Sequence, residues 1–363
     1  MRKNPFVPVP LYFLLAGLVF SFFCTAVKAQ EKAEDWLVDG KSRPAKLVEV
    51  SPKEIQLTNG LIRRSFHLSP NLVCYDFTNL STGEQLLRTV MPEARVTLDG
   101  KVYEVGGSLN LKERGFFKKE WLSEVSSPAD NFQYQSYAVS EITPLFPSKS
   151  QFWASGEKGA KGKRVSFSYT HPDLSGVVLK IHYEIYDDLP LIGKYLTLEN
   201  GGQKPIHINQ VVHEILGTVE EESAVVGSTG EMKKPHQLYV ESDFAFNNSM
   251  NAELSDQARH WKQDSAYTSQ VNYNYQTPST LEIYPEKGIG IDLQPKEDFR
   301  SIRSYELVLD SYDRERNGLA RRKMYRALTP WAMQNPIFMH LSARPTSRSE
   351  QPSISASRLD TRP

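Results

Sequence analysis

The sequence predicts a mostly β protein: a large antiparallel β-sandwich, then one linker helix, then a disordered C-terminal tail. Short runs of alternating apolar and polar residues recur between residues 55 and 309, divided by Gly, Asn and Asp turn signals. A single stretch, 314–328, shows helical period instead. Beyond Leu341 large apolar residues nearly vanish, and a segment that buries so little surface is expected to stay disordered. Many strands with little helix imply stacked antiparallel sheets.

Taken in order, the chain opens with Arg2 and Lys3, then an apolar run over residues 11–23 and the small-residue site Val27-Lys28-Ala29. This is the pattern of a secretory signal peptide, residues 1–29, cut after Ala29. The competing reading is a membrane anchor, but the run is short of the roughly 20 residues that span a bilayer. Cys24 follows Phe23 where a lipobox needs a small residue, so a lipoprotein is rejected. Export to the periplasm or the extracellular space is therefore expected, with no stable membrane anchor. The β-sandwich domain is assigned to residues 30–313.

Strands are expected at residues 55–58 and 61–66 around an Asn59-Gly60 turn, and at 95–98 and 101–103 around Asp99-Gly100. Others are expected at 165–169, 177–186, 189–198, 206–212, 281–284, 289–293 and 305–309. Residues 156–163 form a Gly/Lys stretch. It is no phosphate loop, because its Gly spacing is wrong and Arg164 stands where Ser or Thr must bind metal. A solvated hairpin tip is the expectation. Residues 244–278 form a long polar stretch rich in Asn and Tyr, of a length that is usually functional or disordered.

The helix 314–328 carries Leu319, Ala320, Met324, Ala327 and Leu328 on one side. Asp310, Ser311 and Asp313 are candidate caps and Pro330 ends it. Its other side is basic, with Arg314, Arg316, Arg321, Arg322, Lys323 and Arg326. A solvated or inter-domain face is expected there rather than a nucleic-acid site, since no aromatic platform accompanies the charge.

Composition excludes several classes. Net charge is +0, so no broad field draws nucleic acid or acidic lipid. Of the two cysteines, Cys24 lies in the signal and Cys74 lies in an apolar strand, where a buried thiol is expected rather than a nucleophile. No Cys/His spacing matches a zinc site, and no cofactor motif is found. His213-Glu214 at a strand end reads as a mutually satisfied structural pair, or else as a polar pair at a domain interface. Glu220-Glu221-Glu222 reads as a solvated turn.

Three segments carry a resemblance. They are Leu57-Thr58-Asn59-Gly60-Leu61-Ile62-Arg63-Arg64-Ser65-Phe66, then Asp188-Leu189-Pro190-Leu191-Ile192-Gly193-Lys194-Tyr195-Leu196-Thr197-Leu198-Glu199-Asn200, then Phe299-Arg300-Ser301-Ile302-Arg303-Ser304-Tyr305-Glu306-Leu307. The third runs on through Asp310-Ser311-Tyr312-Asp313-Arg314-Glu315-Arg316 into the helix. Together they resemble the amino-terminal region of glycoside hydrolase family 36, the α-galactosidases and their uncharacterised bacterial relatives. The resemblance covers residues 35–341 and implies a β-sandwich packed beside a catalytic (β/α) barrel. Residues 314–341 would then be the linker helix and the start of that barrel, with 331–341 approaching its first strand.

The family's retaining chemistry needs two carboxyl groups about 5–5.5 Å apart, placed at barrel strand ends. No catalytic residue is carried over onto this chain. The nearest string to the family's Lys-Trp-Asp nucleophile is Trp261-Lys262-Gln263-Asp264, in the wrong order and in a polar stretch. In the 244–278 stretch Asn247, Trp261, Tyr267 and Tyr273 are substrate-binding candidates, the alternative being an ordinary packed loop, or one left mobile without its barrel. The partners implied are carbohydrate, a missing barrel domain, and a second copy, because helix and 331–339 strand would expose apolar surface. The alternative is a free-standing exported carbohydrate-binding sandwich.

Residues 342–363 are expected to be aberrant, the product of a frameshift. Read one frame over, residues from Pro345 allow Asp-Glu-Pro-Val-Arg-Thr-Ala-Ile-Asp-Gln, and residues 358–363 allow Ala-Gly-Tyr-Glu-Thr. Both strings resemble the family's barrel. A natural disordered tail is the alternative.

Overall fold

The structure, a computed structural model, describes residues 35–143, 160–221, 234–244, 258–267 and 280–329. The signal segment 1–29, residues 144–159 and the tail lie outside the described residues. The chain begins as a five-stranded antiparallel meander: β1 (Lys46–Ser51), β2 (Glu54–Thr58), β3 (Ile62–His67), β4 (Val73–Asn79) and β5 (Glu84–Gln85). Next come β6 (Leu87–Thr89), β7 (Ala94–Leu98), β8 (Lys101–Val105), β9 (Gln133–Glu141), β10 (Gly162–Thr170), β11 (Val177–Tyr186) and β12 (Leu191–Asn200). After them run β13 (Ile206–Val212), β14 (Glu214–Thr218), β15 (Leu238–Ser242) and β16 (Arg259–Lys262). The last are β17 (Thr280–Ile283), β18 (Ile291–Leu293), β19 (Asp298–Arg300) and β20 (Ser304–Val308), ahead of the helix α1 (Arg314–Leu328).

The largest sheet has the order β15-β20-β12-β11-β10-β9, with β19 also paired to β12. Two four-stranded sheets, β18-β13-β7-β8 and β16-β17-β14-β6, complete the sandwich. Alternation decides which side chains enter it. Val165, Phe167 and Tyr169 of β10 are fully buried, and so are Leu179, Ile181, Tyr183 and Ile185 of β11. They share one core with Ile55, Leu57, Ile62, Phe66 and Phe77 of the meander and with Val96, Ile208 and Leu281 of the smaller sheets. Phe66 sits 4.9 Å from both Phe167 and Tyr183, tilted as ring quadrupoles prefer.

The mostly antiparallel-β expectation holds, with local departures. β9 is an edge strand whose residues are mostly exposed, so no apolar alternation marks it. β16 lies inside the stretch expected to be loop. Its signal is faint because it is four residues long and only half-buried. Gly162 and Lys163, assigned to a hairpin tip, open β10.

The helix also differs from expectation in what it touches. Asp313 is its N-cap, accepting from the Arg316 amide at 2.7 Å. Ala320 and Met324 are buried against Trp36, Leu61, Tyr186, Leu189, Leu191, Leu307 and Leu309, with Ala327 and Leu328 packed beside them. The apolar face thus has a partner, the sandwich itself. Leu319 alone of the five turns outward and is 49% exposed, because one residue is 100° of rotation. Three basic residues are not simply solvated. Arg316 pairs with Asp35 and Asp310, each at 2.8 Å. Lys323 donates to the Trp36 carbonyl and lies over its indole, and Arg321 lies over Tyr239. The Trp36 indole N–H in turn donates to Asp310 at 2.8 Å.

Trp36 is therefore the side chain that seats the helix. Trp36→Ala should lower stability by about 3–5 kcal/mol, read as a reduced thermal midpoint in near-UV circular dichroism. An unchanged midpoint would mean the helix docks without it.

Candidate functional site

The least expected cluster is charged and lies inside the sandwich. Arg64 follows the inward phase of β3, between Ile62 and Phe66. Lys194 occupies the inward phase of β12, between Ile192 and Leu196, opposite Tyr183 on β11 and Ser304 on β20. Glu306 faces inward from β20, opposite Ile192, and Glu214 opens β14. None of the four is more than 1% exposed. Arg64 reaches Glu306 at 2.8 Å and Glu214 at 3.2 Å, and Lys194 reaches Glu214 at 2.8 Å. Glu93, also buried, accepts from the Tyr183 hydroxyl and the Cys74 amide, while its carbonyl accepts from Lys194. The Arg64 guanidinium lies 4.6 Å from the Tyr183 ring centre and 5.0 Å from that of Phe77.

The two carboxyls around Arg64 take opposite states. Burial opposes charge on Glu214, but Arg64 and Lys194 outweigh it and bring its pKa down to about 2. Burial, reinforced by the charge of Glu214, holds Glu306 well above the carboxylate range, so it keeps its proton. That proton is donated to the Glu214 carboxylate, which lowers the pKa of Glu214 and raises that of Glu306. Two cations then face two carboxylates, Glu214 and Glu93, although burial raises the latter's pKa too. Beside them lies a void of about 10 Å³, lined by Arg64, Glu93 and Thr89, whose hydroxyl has no partner. That is the size and polarity of a single-water site. Buried among core residues, this cluster holds strands together and offers no route for a substrate.

His213 and Glu214 do not pair. Neighbours on a strand point to opposite sides, so Glu214 enters the junction while both His213 ring nitrogens are buried without a partner. Burial brings the His213 pKa down to about 3 and keeps it neutral. Cys74 is the buried thiol expected, pushed up to about 12 by burial, with the Arg64 Nε–H directed at its sulfur.

Of the four sugar candidates, Trp261 and Tyr267 are among the described residues. Trp261 is half-buried on β16 and packs against the main core. Tyr267 is 2% exposed, roofed by the Arg88 guanidinium at 4.2 Å, and its hydroxyl donates to Glu220. A ring enclosed in this way is no platform for sugar, which corrects that expectation. Asn247 and Tyr273 lie outside the described residues. Asp264 is gripped by Arg88 at 3.1 Å and Arg114 at 3.0 Å. Burial opposes its charge, yet Arg114 and Arg88 hold its carboxyl below the usual range, as a structural anion. Glu220 and Glu221 are half-buried and engaged with Tyr267 and His236, so they are not the solvated turn expected. Among the described residues, no group of three or more His, Cys, Asp or Glu could hold a metal ion.

No family model matches the chain, and no curated protein does. Solved structures do. The chain is similar to family 36 α-galactosidases. The α-galactosidase of Lactobacillus brevis aligns at 10% identity and a TM-score of 0.41, over 76% of this chain and 42% of that one. The family 36 enzyme AgaB of Geobacillus stearothermophilus aligns at 12% identity and a TM-score of 0.40, over 73% and 41%. A TPR-domain containing protein from Parabacteroides distasonis aligns at 12% and 0.30, over 72% and 48%. The chain spans less than half the length of each, and likeness this distant carries no activity across.

The assignment of the proton is testable. Glu306 is raised in the folded state, so its contribution is full below its ordinary value of 4.5 and is lost as pH rises above it. Glu214 is depressed, so its contribution is present above 4.5 and is lost as pH falls toward 2. Glu306→Gln keeps an acceptor for Arg64 and cannot ionise. It should be near neutral around pH 5 and gain on the parent as pH rises, in thermal melts across a pH series. Glu214→Gln strands two cations and should cost about 3–5 kcal/mol near neutral pH. Equal damage from both would show that Glu306 is ionised.

Proposed function

We propose that this chain is the non-catalytic β-sandwich part of an exported α-galactosidase-like glycoside hydrolase, acting in carbohydrate metabolism. One observation carries the reading. The three segments that resemble the family each supply one member of the buried junction: Arg64 from the first, Lys194 from the second, Glu306 from the third. Strings scattered over more than 240 residues are tied by one physical requirement. That supports a common architecture better than chance likeness of short strands. Export is proposed from residues 1–29, and a change of reading frame after Leu341 from the Ser/Arg/Pro-rich composition of 343–363.

On this reading the chain has no glycosidase machinery of its own. The carboxyl pair inside the sandwich is sealed, and Asp264 is locked between two arginines. Purified protein should release no product from aryl α-galactosides. Turnover that survives repurification and disappears in Asp264→Asn would overturn the assignment. The DNA beyond the Leu341 codon tests the finer proposal. An alternative frame that opens into a long α/β sequence supports it, and early stops in that frame end it. Amino-terminal sequencing of protein from an export-competent host should find Gln30 first. An intact Met1 would remove the export proposal.

A second reading draws support from the docked helix. With Ala320 and Met324 covered, the sandwich need not lack a partner, as a free-standing exported carbohydrate-binding protein would not. Light scattering separates the two. A stable monomer favours the free-standing module, and association through the Leu319 side favours the domain.

A further inference from the structure

The edges of the four sheets are not treated alike. A strand edge offers unpaired N–H and C=O groups to any other chain, and proteins blunt such edges by brevity, bulges, charges or cover. β5 is two residues long, and β6 and β18 are three. β1 carries Lys46 and Glu49 and a bulge between Glu49 and Ser51. β8 is covered at its end by Phe132, whose amide donates to the Glu104 carbonyl at 2.8 Å. On β15 the Val240 carbonyl is taken by Arg259, and β16 carries Arg259 and Lys262. β9 differs. It is nine residues long and mostly exposed, and it holds no Lys, Arg or Pro. Its bulge lies near its start, opposite Ser168 and Tyr169, and its one charge, Glu141, stands at its end. Residues 136–141 are thus a regular, unprotected edge.

The free side of that edge has a definite pattern. The Ile142 amide donates to the Gly162 carbonyl at 3.1 Å, so Ser140, Ala138 and Ser136, at alternate positions, also turn their backbone groups toward β10. The N–H and C=O of Tyr137, Val139 and Glu141 point the other way and have no partner among the described residues. Val139, opposite the buried Val165, is 45% exposed although it lies in the core-facing phase. β1 runs alongside, where the Tyr137 hydroxyl donates to Glu49 at 2.5 Å, and Val48 and Val50 on either side of Glu49 are 41% and 48% exposed. We propose that β9 pairs antiparallel with β9 of a second copy, joining the two largest sheets across a twofold axis at Val139. A twofold contact needs a surface complementary to itself, and β9 supplies one. With Val139 opposite Val139, Tyr137 stands opposite Glu141 of the second copy. All three outward residues then pair, and about six backbone hydrogen bonds form. The single charge of β9 meets a phenol rather than its like, keeping its ion pair with Lys163, and the two valines cover each other. Pairing one edge covers less than the roughly 1,200 Å² of standard interfaces, so the dimer is weak and reversible. The inference does not rest on the glycosidase-related reading, since β9 lies outside the three segments that carry the resemblance.

Sedimentation velocity of the purified chain, between about 1 and 200 μM, should show a monomer–dimer equilibrium with Kd on the order of 10 μM. Val139→Lys sets two ammonium groups across the axis. Val139→Pro removes an outward N–H without touching the bonds to β10, a place where an edge strand tolerates proline. Each should weaken the dimer about tenfold or more, which is about 1.4 kcal/mol, with thermal midpoints as the control for folding. Leu319→Lys, on the exposed side of α1, should leave it unchanged, which separates this dimer from association through the helix. Val139→Cys reads the register directly. Opposed Cα atoms of a hydrogen-bonded pair lie about 5.5 Å apart, within reach of a disulfide, so air oxidation should give a cross-linked dimer. Ser136→Cys lies about 20 Å from its own copy in this register and should not cross-link. Cys74 is buried and does not compete. A monomer throughout the range overturns the proposal. So does a dimer that both Val139 substitutions leave intact, one that Leu319→Lys abolishes, or cross-linking at position 136 and not at 139. The reading frame and the turnover assay decide the domain assignment independently.

Discussion

The whole sandwich depends on a charged junction that water does not reach. Removing Arg64, Lys194, Glu93 and Glu214 from solvent costs several kcal/mol for each ion, and their mutual attraction offsets this only when geometry is good. Good geometry here means four strands in register at once. A one-residue slip of β12 would send Lys194 out and bring Tyr195 in. Because β3, β12, β14 and β20 belong to three different sheets, the junction sets the register of those sheets relative to one another. Apolar packing also opposes that one-residue slip, but it is tolerant of a two-residue slip that keeps the same face inward. Paired charges are not.

Where strands are regular, the sequence was easily legible. β10 and the first half of β11 alternate and fall where alternation places them, and the helix bounds match their caps. Asn59-Gly60 reads as a turn, but its pattern does not show that the Asn59 amide donates to the carbonyls of Tyr186 and Leu189 and ties two sheets together. The junction is hard to read in the sequence because a charge in an apolar phase looks like an imperfection. Ile62-Arg63-Arg64-Ser65-Phe66 and Ile192-Gly193-Lys194-Tyr195-Leu196 both carry that signal, a cation exactly where period two demands a core residue. Tyr267 is illegible in the sequence for a different reason. Composition shows that a loop is rich in aromatics but not whether their faces are already covered.

Covered faces recur. Tyr195, on the outer side of the largest sheet, has the guanidinium groups of Arg164, Arg300 and Arg303 within 6 Å of its ring, and His182 stacks on it at 4.5 Å. Gly193 leaves room beside it, so that Glu184 stays fully buried on a nominally outward face, paired with Arg164 and Arg303. These rings are spent on the protein's own cations.

The Arg316 clamp has a consequence for motion. A helix at one end of a fold ordinarily frays on its own, and its amides exchange early. Here one guanidinium holds both Asp35 and Asp310, residues 275 positions apart, while Trp36 and Lys323 close the same contact from the other side. Segment 35–39 and α1 therefore cannot open separately. They form one cooperative unit of local unfolding, whose amides exchange together and more slowly than either piece could alone.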